Sequence, residues 1–145
     1  CSVFEDSDYS EEILIERNNN ELADKLGNLV SRVSTLAEKN GIQKTPNSLI
    51  KRLNNKKIIE HFDSYNLDKA LNEIFTFIDI CNEYIQNKKP WETKDKKVLY
   101  ELVESIREIS RLLSPFIPDS AEKISQVFKT DKIKKSPIIF KKIEK

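Results

Sequence analysis

Apolar residues recur every three or four positions along most of the chain, which places them on one face of an α-helix. The pattern predicts a long first helix from Ser10, as its N-cap, to Lys39, where Asn40-Gly41 ends it. Its second half carries a stripe of five apolar residues: Leu22, Leu26, Leu29, Val33 and Leu36. Such a stripe is typical of a helix that packs on a hydrophobic core.

Two more long helices follow with the same period. One is expected from about Leu67 to Asn87 and ends before Lys88-Lys89-Pro90, because a proline disfavours the helical conformation in the residue before it. The other is expected to begin at Thr93, as its N-cap, and to end at Ser114-Pro115. The stretch between them, 88–92, is therefore expected to be a loop.

Shorter elements complete the pattern. Short helices are predicted over 48–53 and 58–62, and Ile117-Pro118 is expected to open a last helix. The remaining tail, 129–145, is basic, and its apolar run 138–140 is expected to dock on the rest of the chain. The whole chain, 1–145, thus reads as one all-α domain, an antiparallel bundle of four to five main helices.

The composition narrows the possible functions. Two glycines among 145 residues are too few for a glycine-rich phosphate loop, and no apolar run approaches the roughly 18 residues of a membrane span. Cys1 and Cys81 form no ligand pair and suit a reduced, cytoplasmic protein, with Cys81 buried as a small hydrophobe. His61 is the only histidine, and no pattern of other residues around it suggests an active site. No catalytic residue and no metal site is therefore predicted. The start at Cys1 and the lack of methionine indicate a fragment of a larger protein.

Charge is distributed unevenly although the net charge is only +1. Residues 1–28 contain eight acids and two bases, a net charge of −6. Residues 44–57 contain five bases and no acid, and residues 129–145 contain seven lysines and two acids, so each of these segments has a net charge of +5. This asymmetry is compatible with a polyanionic partner, and equally with ordinary solvated helix surface.

Asn28 and Arg32 stand out on the long first helix. They lie four residues apart, about 40° from each other around the helix axis, on the side opposite the apolar stripe. An amide and a guanidinium offer hydrogen-bonding groups suited to base edges and phosphates. From spacing alone, a solvated helix face is the better interpretation.

Trp91 is the only tryptophan of the chain, directly after Pro90 and beside Lys88 and Lys89. A tryptophan in such a position can plug the end of the bundle. It can also act as a stacking platform for an unpaired base, and the neighbouring lysines favour this second interpretation.

Four segments resemble, in this order, the C-terminal helical domain of methionyl-tRNA synthetases: residues 21–32, 84–91, 113–119 and 140–144. The combination of Asn-Leu-x-x-Arg at 28–32 with Lys-x-Pro-Trp at 88–91 is specific, whereas either element alone would be weak. The resemblance implies an anticodon-binding bundle of the class I synthetase type. It also implies that Asn28, Arg32, Pro90 and Trp91 form the pocket for the CAU anticodon, with the tryptophan stacked on an anticodon base.

The same resemblance implies that the partner is methionine-accepting tRNA and that the function is tRNA recognition for methionine attachment in translation. Neither a His-Ile-Gly-His-like nor a Lys-Met-Ser-Lys-Ser-like element occurs in the sequence. The chemistry of ATP and methionine is therefore expected in a catalytic domain of the same chain, with no cofactor in this fragment. Two alternatives stay open: the corresponding domain of a leucyl, isoleucyl or valyl enzyme, and a non-catalytic helical module that binds protein through Trp91.

Overall fold

The computed structural model describes residues 11–46, 49–53, 55–64, 66–130 and 132–136. Every regular element within these ranges is helical, which confirms the all-α prediction. The elements are α1 (Glu11–Arg17), a π-helical segment (Asn20–Gly27), α2 (Asn28–Asn40), a 3-10 turn (Ile50–Arg52), α3 (Asn55–Asp63), α4 (Leu67–Lys88), α5 (Pro90–Thr93), α6 (Lys96–Leu113) and α7 (Pro118–Val127). The predicted N-cap Ser10 and the apolar run 138–140 lie outside the described residues.

The expectation of one regular first helix was wrong in its first half. Its early part divides into α1, a turn at Asn18 and the wider π-helical segment. The Asn18 backbone N–H and its side-chain Nδ2 both donate to the carbonyl oxygen of Leu14, at 3.1 and 3.0 Å. This second donor to one helical carbonyl lies at the turn that separates α1 from the π-helical segment.

The π-helical segment is fixed to the neighbouring helix α4. The Lys25 ammonium lies 2.9 Å from a Glu21 carboxylate oxygen and 3.0 Å from one of Asp79, and Asn82 Nδ2 donates to the Lys25 carbonyl oxygen at 3.3 Å. Leu22 and Leu26 are almost completely buried here. The predicted apolar stripe therefore reaches the core despite the change of helical pitch.

Helix α6 lies at the centre of the bundle and packs against α2, α4 and α7. The side chains of Leu102, Val103 and Ile106 are fully buried in this core. Cys81 on α4 is also fully buried, and this burial raises the pKa of its thiol to about 12. The predicted role of Cys81 as a small hydrophobe is confirmed.

The corner between α6 and α7 packs into the core. Phe116 is fully buried, its N–H donates to the Leu113 carbonyl oxygen at 2.9 Å, and its ring centroid lies 5.7 Å from that of Phe62. Pro118 then occupies the first turn of α7, where its fixed φ suits a helix and no N–H is needed.

Residues 132–136 run back onto α2. Ile133 is buried in the core, the Ser136 N–H donates to the Ser34 hydroxyl at 2.9 Å, and the Lys135 N–H donates to the Glu38 carboxylate. These three contacts fix the described part of the basic tail along one side of the helix. None of the helices in the ranges that the structure describes combines the length and apolarity required to span a bilayer.

Candidate nucleic-acid interface

A cleft of about 460 Å³ opens between α2, the end of α4, α5 and residues 132–136. The residues that line it are Ser31, Arg32, Thr35, Leu36, Gln86, Trp91 and Lys135. Two of the predicted site residues, Arg32 and Trp91, thus share one cavity although they belong to different helices. The lining combines an aromatic ring, two cationic groups, two hydroxyls and one amide, which suits a polar aromatic ligand of negative charge.

Trp91 projects from α5, a single helical turn rather than the expected loop. Pro90 is buried at the first position of α5, and its carbonyl oxygen accepts a 2.8 Å hydrogen bond from the Lys94 N–H. The Trp91 side chain is 41% exposed. An indole that exposes so much of its surface does not plug the bundle end, and one part of the ring is open to the cleft.

Two lysines with positive φ enclose this turn: φ is 48° at Lys89 and 55° at Lys94. The left-handed conformation is unfavourable for residues other than glycine and costs on the order of 1–3 kcal/mol. Lys89 also closes α4, since its N–H donates to the Ile85 carbonyl oxygen at 3.0 Å. The surrounding bundle therefore maintains a strained connection that holds Trp91 at the mouth of the cleft.

The predicted N-cap of α6 was wrong by two residues. Asp95 is the cap, and its carboxylate accepts hydrogen bonds from the N–H groups of Lys97 and Val98, at 3.0 and 3.4 Å. Thr93 supports the cap instead, because its hydroxyl accepts the Asp95 N–H at 3.3 Å. Both residue types can cap helices, and only the three-dimensional course of the chain decides which one does.

Arg32 lies on the solvent-facing side of α2, one turn after Asn28. Thr35, which also lines the cleft, donates its hydroxyl to the Ser31 carbonyl oxygen at 2.7 Å, so this hydroxyl lies against the helix. The guanidinium offers five N–H donors in a fixed plane. Such a group can donate to base edges or to phosphate oxygens.

Asn28 and Pro90 do not line the cleft. The Asn28 side chain is exposed, and its Nδ2 donates to the Asp24 carbonyl oxygen at 2.6 Å, within the same helical stretch. Pro90 is buried and occupies the first position of α5. The structure thus brings Arg32 and Trp91 into one cavity and leaves Asn28 one turn away and Pro90 outside its lining.

Sequence reasoning missed Lys135, which forms the far wall of the cleft. The basic composition of 129–145 was the available signal, but no pattern in the sequence shows where the tail docks. The polar residues Ser31, Thr35 and Gln86 were also missed. Their positions near the Asn-Leu-x-x-Arg and Pro-Trp elements were the only indication.

A polar contact anchors the last turns of α4 behind the cleft. The Tyr84 hydroxyl donates to the buried carboxylate of Glu101 on α6, and the Lys88 ammonium lies 5.7 Å from the centroid of the Tyr84 ring. Burial, reinforced by this hydrogen bond, raises the pKa of Tyr84 above its usual value. Tyr84 therefore remains a hydrogen-bond donor throughout the physiological pH range. In the ranges given above, no three His, Cys, Asp or Glu residues are arranged to hold a metal ion.

Two family models match the chain. Residues 47–143 match the anticodon-binding domain of tRNA ligases, and residues 1–34 match the class I tRNA synthetases of the methionine type. The first match covers most of the described bundle. The second covers α1, the π-helical segment and the start of α2.

Individual proteins agree with these models. A methionine–tRNA ligase of Caldanaerobacter subterraneus is 38% identical over 82% of this chain and 22% of its own length. A methionine–tRNA ligase of Clostridium tetani is 34% identical over 85% of this chain and 22% of its own length. The chain thus spans about a fifth of these curated relatives. The free methionyl-tRNA synthetase of Mycobacterium tuberculosis has the same fold, with a TM-score of 0.71 at 21% identity over 94% of this chain and 35% of that one.

Proposed function

The chain belongs to the family of anticodon-binding domains of tRNA ligases, and we propose that it reads the CAU anticodon of methionine-accepting tRNA as part of a methionine–tRNA ligase. The single observation that carries this proposal is the shared cleft of Arg32 and Trp91. A half-exposed indole and an exposed guanidinium around one cavity fit a nucleobase with its phosphate.

In this proposal each cleft residue has a distinct role. The Trp91 indole stacks on one unpaired anticodon base, and the turn from Lys89 to Lys94 holds the ring in place. The Arg32 guanidinium donates hydrogen bonds to a base edge or a phosphate, and Lys135 neutralises the backbone opposite it. Asn28 extends the surface by one helical turn, where its side chain meets the next nucleotide.

Specificity for methionine tRNA is supported by two similarities. The named relatives are methionine–tRNA ligases, and residues 1–34 match the methionine type of class I synthetases. We infer that ATP and methionine bind in the catalytic part of the ligase, which is a partner of this domain in the same protein. The domain itself takes part through tRNA recognition in the cytoplasm and is not catalytic.

The test is binding of the chain to an anticodon stem-loop with CAU and to stem-loops with the anticodons of valine, isoleucine and leucine tRNAs. We expect the CAU stem-loop to bind about 5- to 150-fold more tightly, because one well-placed bidentate contact discriminates by ~1–3 kcal/mol. Preference for another anticodon would assign the chain to a related class I ligase. Equal binding of all four would refute anticodon reading.

The salt dependence of binding distinguishes an RNA-binding domain from the alternative, a protein-binding module. Binding of RNA weakens steeply as salt rises, because each neutralised phosphate releases condensed counterions. An apolar contact between Trp91 and a protein partner lacks this dependence. A partner captured by Trp91 with no dependence on salt, together with no affinity for the CAU stem-loop, would favour the protein-binding module.

A further inference from the structure

A second cavity, of about 510 Å³, lies beside the cleft between the end of α7 and residues 129–130 and 132–135. Five of the residues that line it are lysines: Lys123, Lys129, Lys132, Lys134 and Lys135. No acidic residue is found among the lining residues that the structure describes, and none of the five ammonium groups forms an ion pair with a described acid. We call this cavity the lysine groove.

The lysine groove has a fixed backbone framework. The Arg107 guanidinium on α6 donates to the carbonyl oxygens of Phe128 and Thr130, at 2.7 and 3.4 Å, and so holds the turn after α7. Ile133 is buried, whereas Lys132 and Lys134 on either side of it are exposed. The buried Ile133 thus holds the segment on the bundle and leaves the two flanking lysines exposed.

Lys135 lines both the lysine groove and the cleft of Trp91. The two cavities therefore adjoin at this side chain. An RNA strand whose unpaired base enters the cleft leaves the cleft in both directions. Every nucleotide of that strand carries a phosphate. Clustered lysines are suited to such a chain of phosphates and do not read its sequence.

We propose that the lysine groove holds the phosphodiester backbone of the RNA whose anticodon occupies the cleft, and that it contributes affinity without anticodon discrimination. This inference rests on the proposed function, since it takes the bound RNA as given. It adds a second surface, with a different chemical role. The cleft reads bases, and the lysine groove binds the adjoining phosphates.

The experiment replaces four lysines of the groove with glutamine, Lys123, Lys129, Lys132 and Lys134, and leaves Lys135 unchanged because it also lines the cleft. Affinity for the CAU stem-loop and for an anticodon-substituted stem-loop is measured from low to moderate salt. At about 0.1 M salt we expect both Kd values to rise at least tenfold, and the slope of log K against log salt to become shallower by about 2–4. The ratio of the two Kd values should not change.

The matched control replaces four exposed lysines elsewhere, Lys44, Lys51, Lys56 and Lys69, and removes the same total charge. We expect it to change the slope much less. An unchanged slope in the groove variant, or the same change in both variants, would overturn the proposal. Circular dichroism checks that both variants retain their helices.

Failure of the lysine groove and failure of anticodon reading give different results. If the unmodified chain does not distinguish the two stem-loops but the groove variant still flattens the slope, anticodon reading fails and the groove stands. If the unmodified chain distinguishes them and the slope is unchanged in the variant, only the groove fails. Groove-dependent binding to phosphatidylserine vesicles with no effect on RNA would assign the lysines to a membrane surface and also overturn the proposal.

Discussion

The N–H of Ser136 donates a 2.9 Å hydrogen bond to the hydroxyl oxygen of Ser34, and both residues are buried. The Ser34 hydroxyl donates in turn to the Ser31 carbonyl oxygen at 3.1 Å. Ser34, on the core side of α2, thereby fixes residues 132–136 beside the cleft. The position of Lys135, next to Ser136, depends on this bond.

Ser34→Ala should therefore destabilise the fold and weaken RNA binding together. Loss of the acceptor leaves a buried N–H without this partner, which costs about 1–3 kcal/mol. Denaturant unfolding measures the loss, and titration with the stem-loop measures the affinity. The control is Thr76→Ala, which removes an exposed hydroxyl bonded within its own helix and should change stability by no more than about 0.5 kcal/mol. Equal stability of both variants would show that the Ser34 bond does not hold the segment.

Trp91→Ala should reduce the affinity for the CAU stem-loop by ~1–3 kcal/mol, the contribution of one stack between a base and an aromatic ring. Trp91→Phe should retain part of the affinity, because an aromatic face remains. As the chain has no other tryptophan, its fluorescence reports this side chain alone. The CAU stem-loop should quench the emission and the substituted stem-loop much less. Unchanged emission on binding would exclude stacking.

Arg32→Ala should weaken binding of the CAU stem-loop and reduce discrimination between anticodons, while the melting temperature stays nearly unchanged. The side chain is exposed, so its removal leaves no cavity in the core. Arg32→Lys is the informative companion, since it keeps the charge and loses the planar fork of donors. If lysine restored discrimination completely, Arg32 would act through charge alone.

Asn28→Ala is expected to reduce CAU binding less than Arg32→Ala, because Asn28 lies one turn outside the cleft. It should also leave the melting temperature nearly unchanged, since the Asn28 side chain is exposed. Titration of the two single variants with the CAU stem-loop compares their affinities, and thermal unfolding compares their melting temperatures. A marked drop of the melting temperature in Asn28→Ala would identify its 2.6 Å bond to the Asp24 carbonyl oxygen as structural.

Stability should fall as pH rises above about 9, partly because of Cys81. In the unfolded chain its thiol titrates near 9.0, whereas in the fold burial raises the pKa to about 12. Between these values the unfolded state binds fewer protons, so the free energy of unfolding decreases by at most ~1.4 kcal/mol per pH unit for this group. Cys81→Ala should be less stable at pH 8 but show a flatter decline up to pH 11. An identical slope in both proteins would contradict the burial of the thiol.

The sequence was sufficient for the fold class and for most helix positions. Leu22, Leu26 and Leu29 recur with the helical period and are almost completely buried, because the core leaves room for only one apolar face. The widened turns of the π-helical segment were not predictable, since the apolar residues keep a helical spacing through it. Local patterns fix helix faces but not local pitch.

The candidate site was predictable in part. Arg32 and Trp91 share a cleft, yet spacing alone indicated only a solvated face for Arg32, and the resemblance to synthetases supplied its role. Lys135 was missed because its place depends on Ile133 entering a core formed by distant helices. The anticodon-binding roles of Asn28, Arg32, Pro90 and Trp91 stay predictions.

The docking of residues 132–136 on α2 also determines when the cleft is complete during synthesis. Residues 132–136 leave the ribosome after α2 and α5, so the segment that closes the cavity is synthesised later than Arg32 and Trp91. A nascent chain that stops before Lys132 would carry Arg32 and Trp91 at the edge of an open surface, without the wall formed by Lys135. We therefore expect such a nascent chain to bind RNA less tightly than one extended through Ser136.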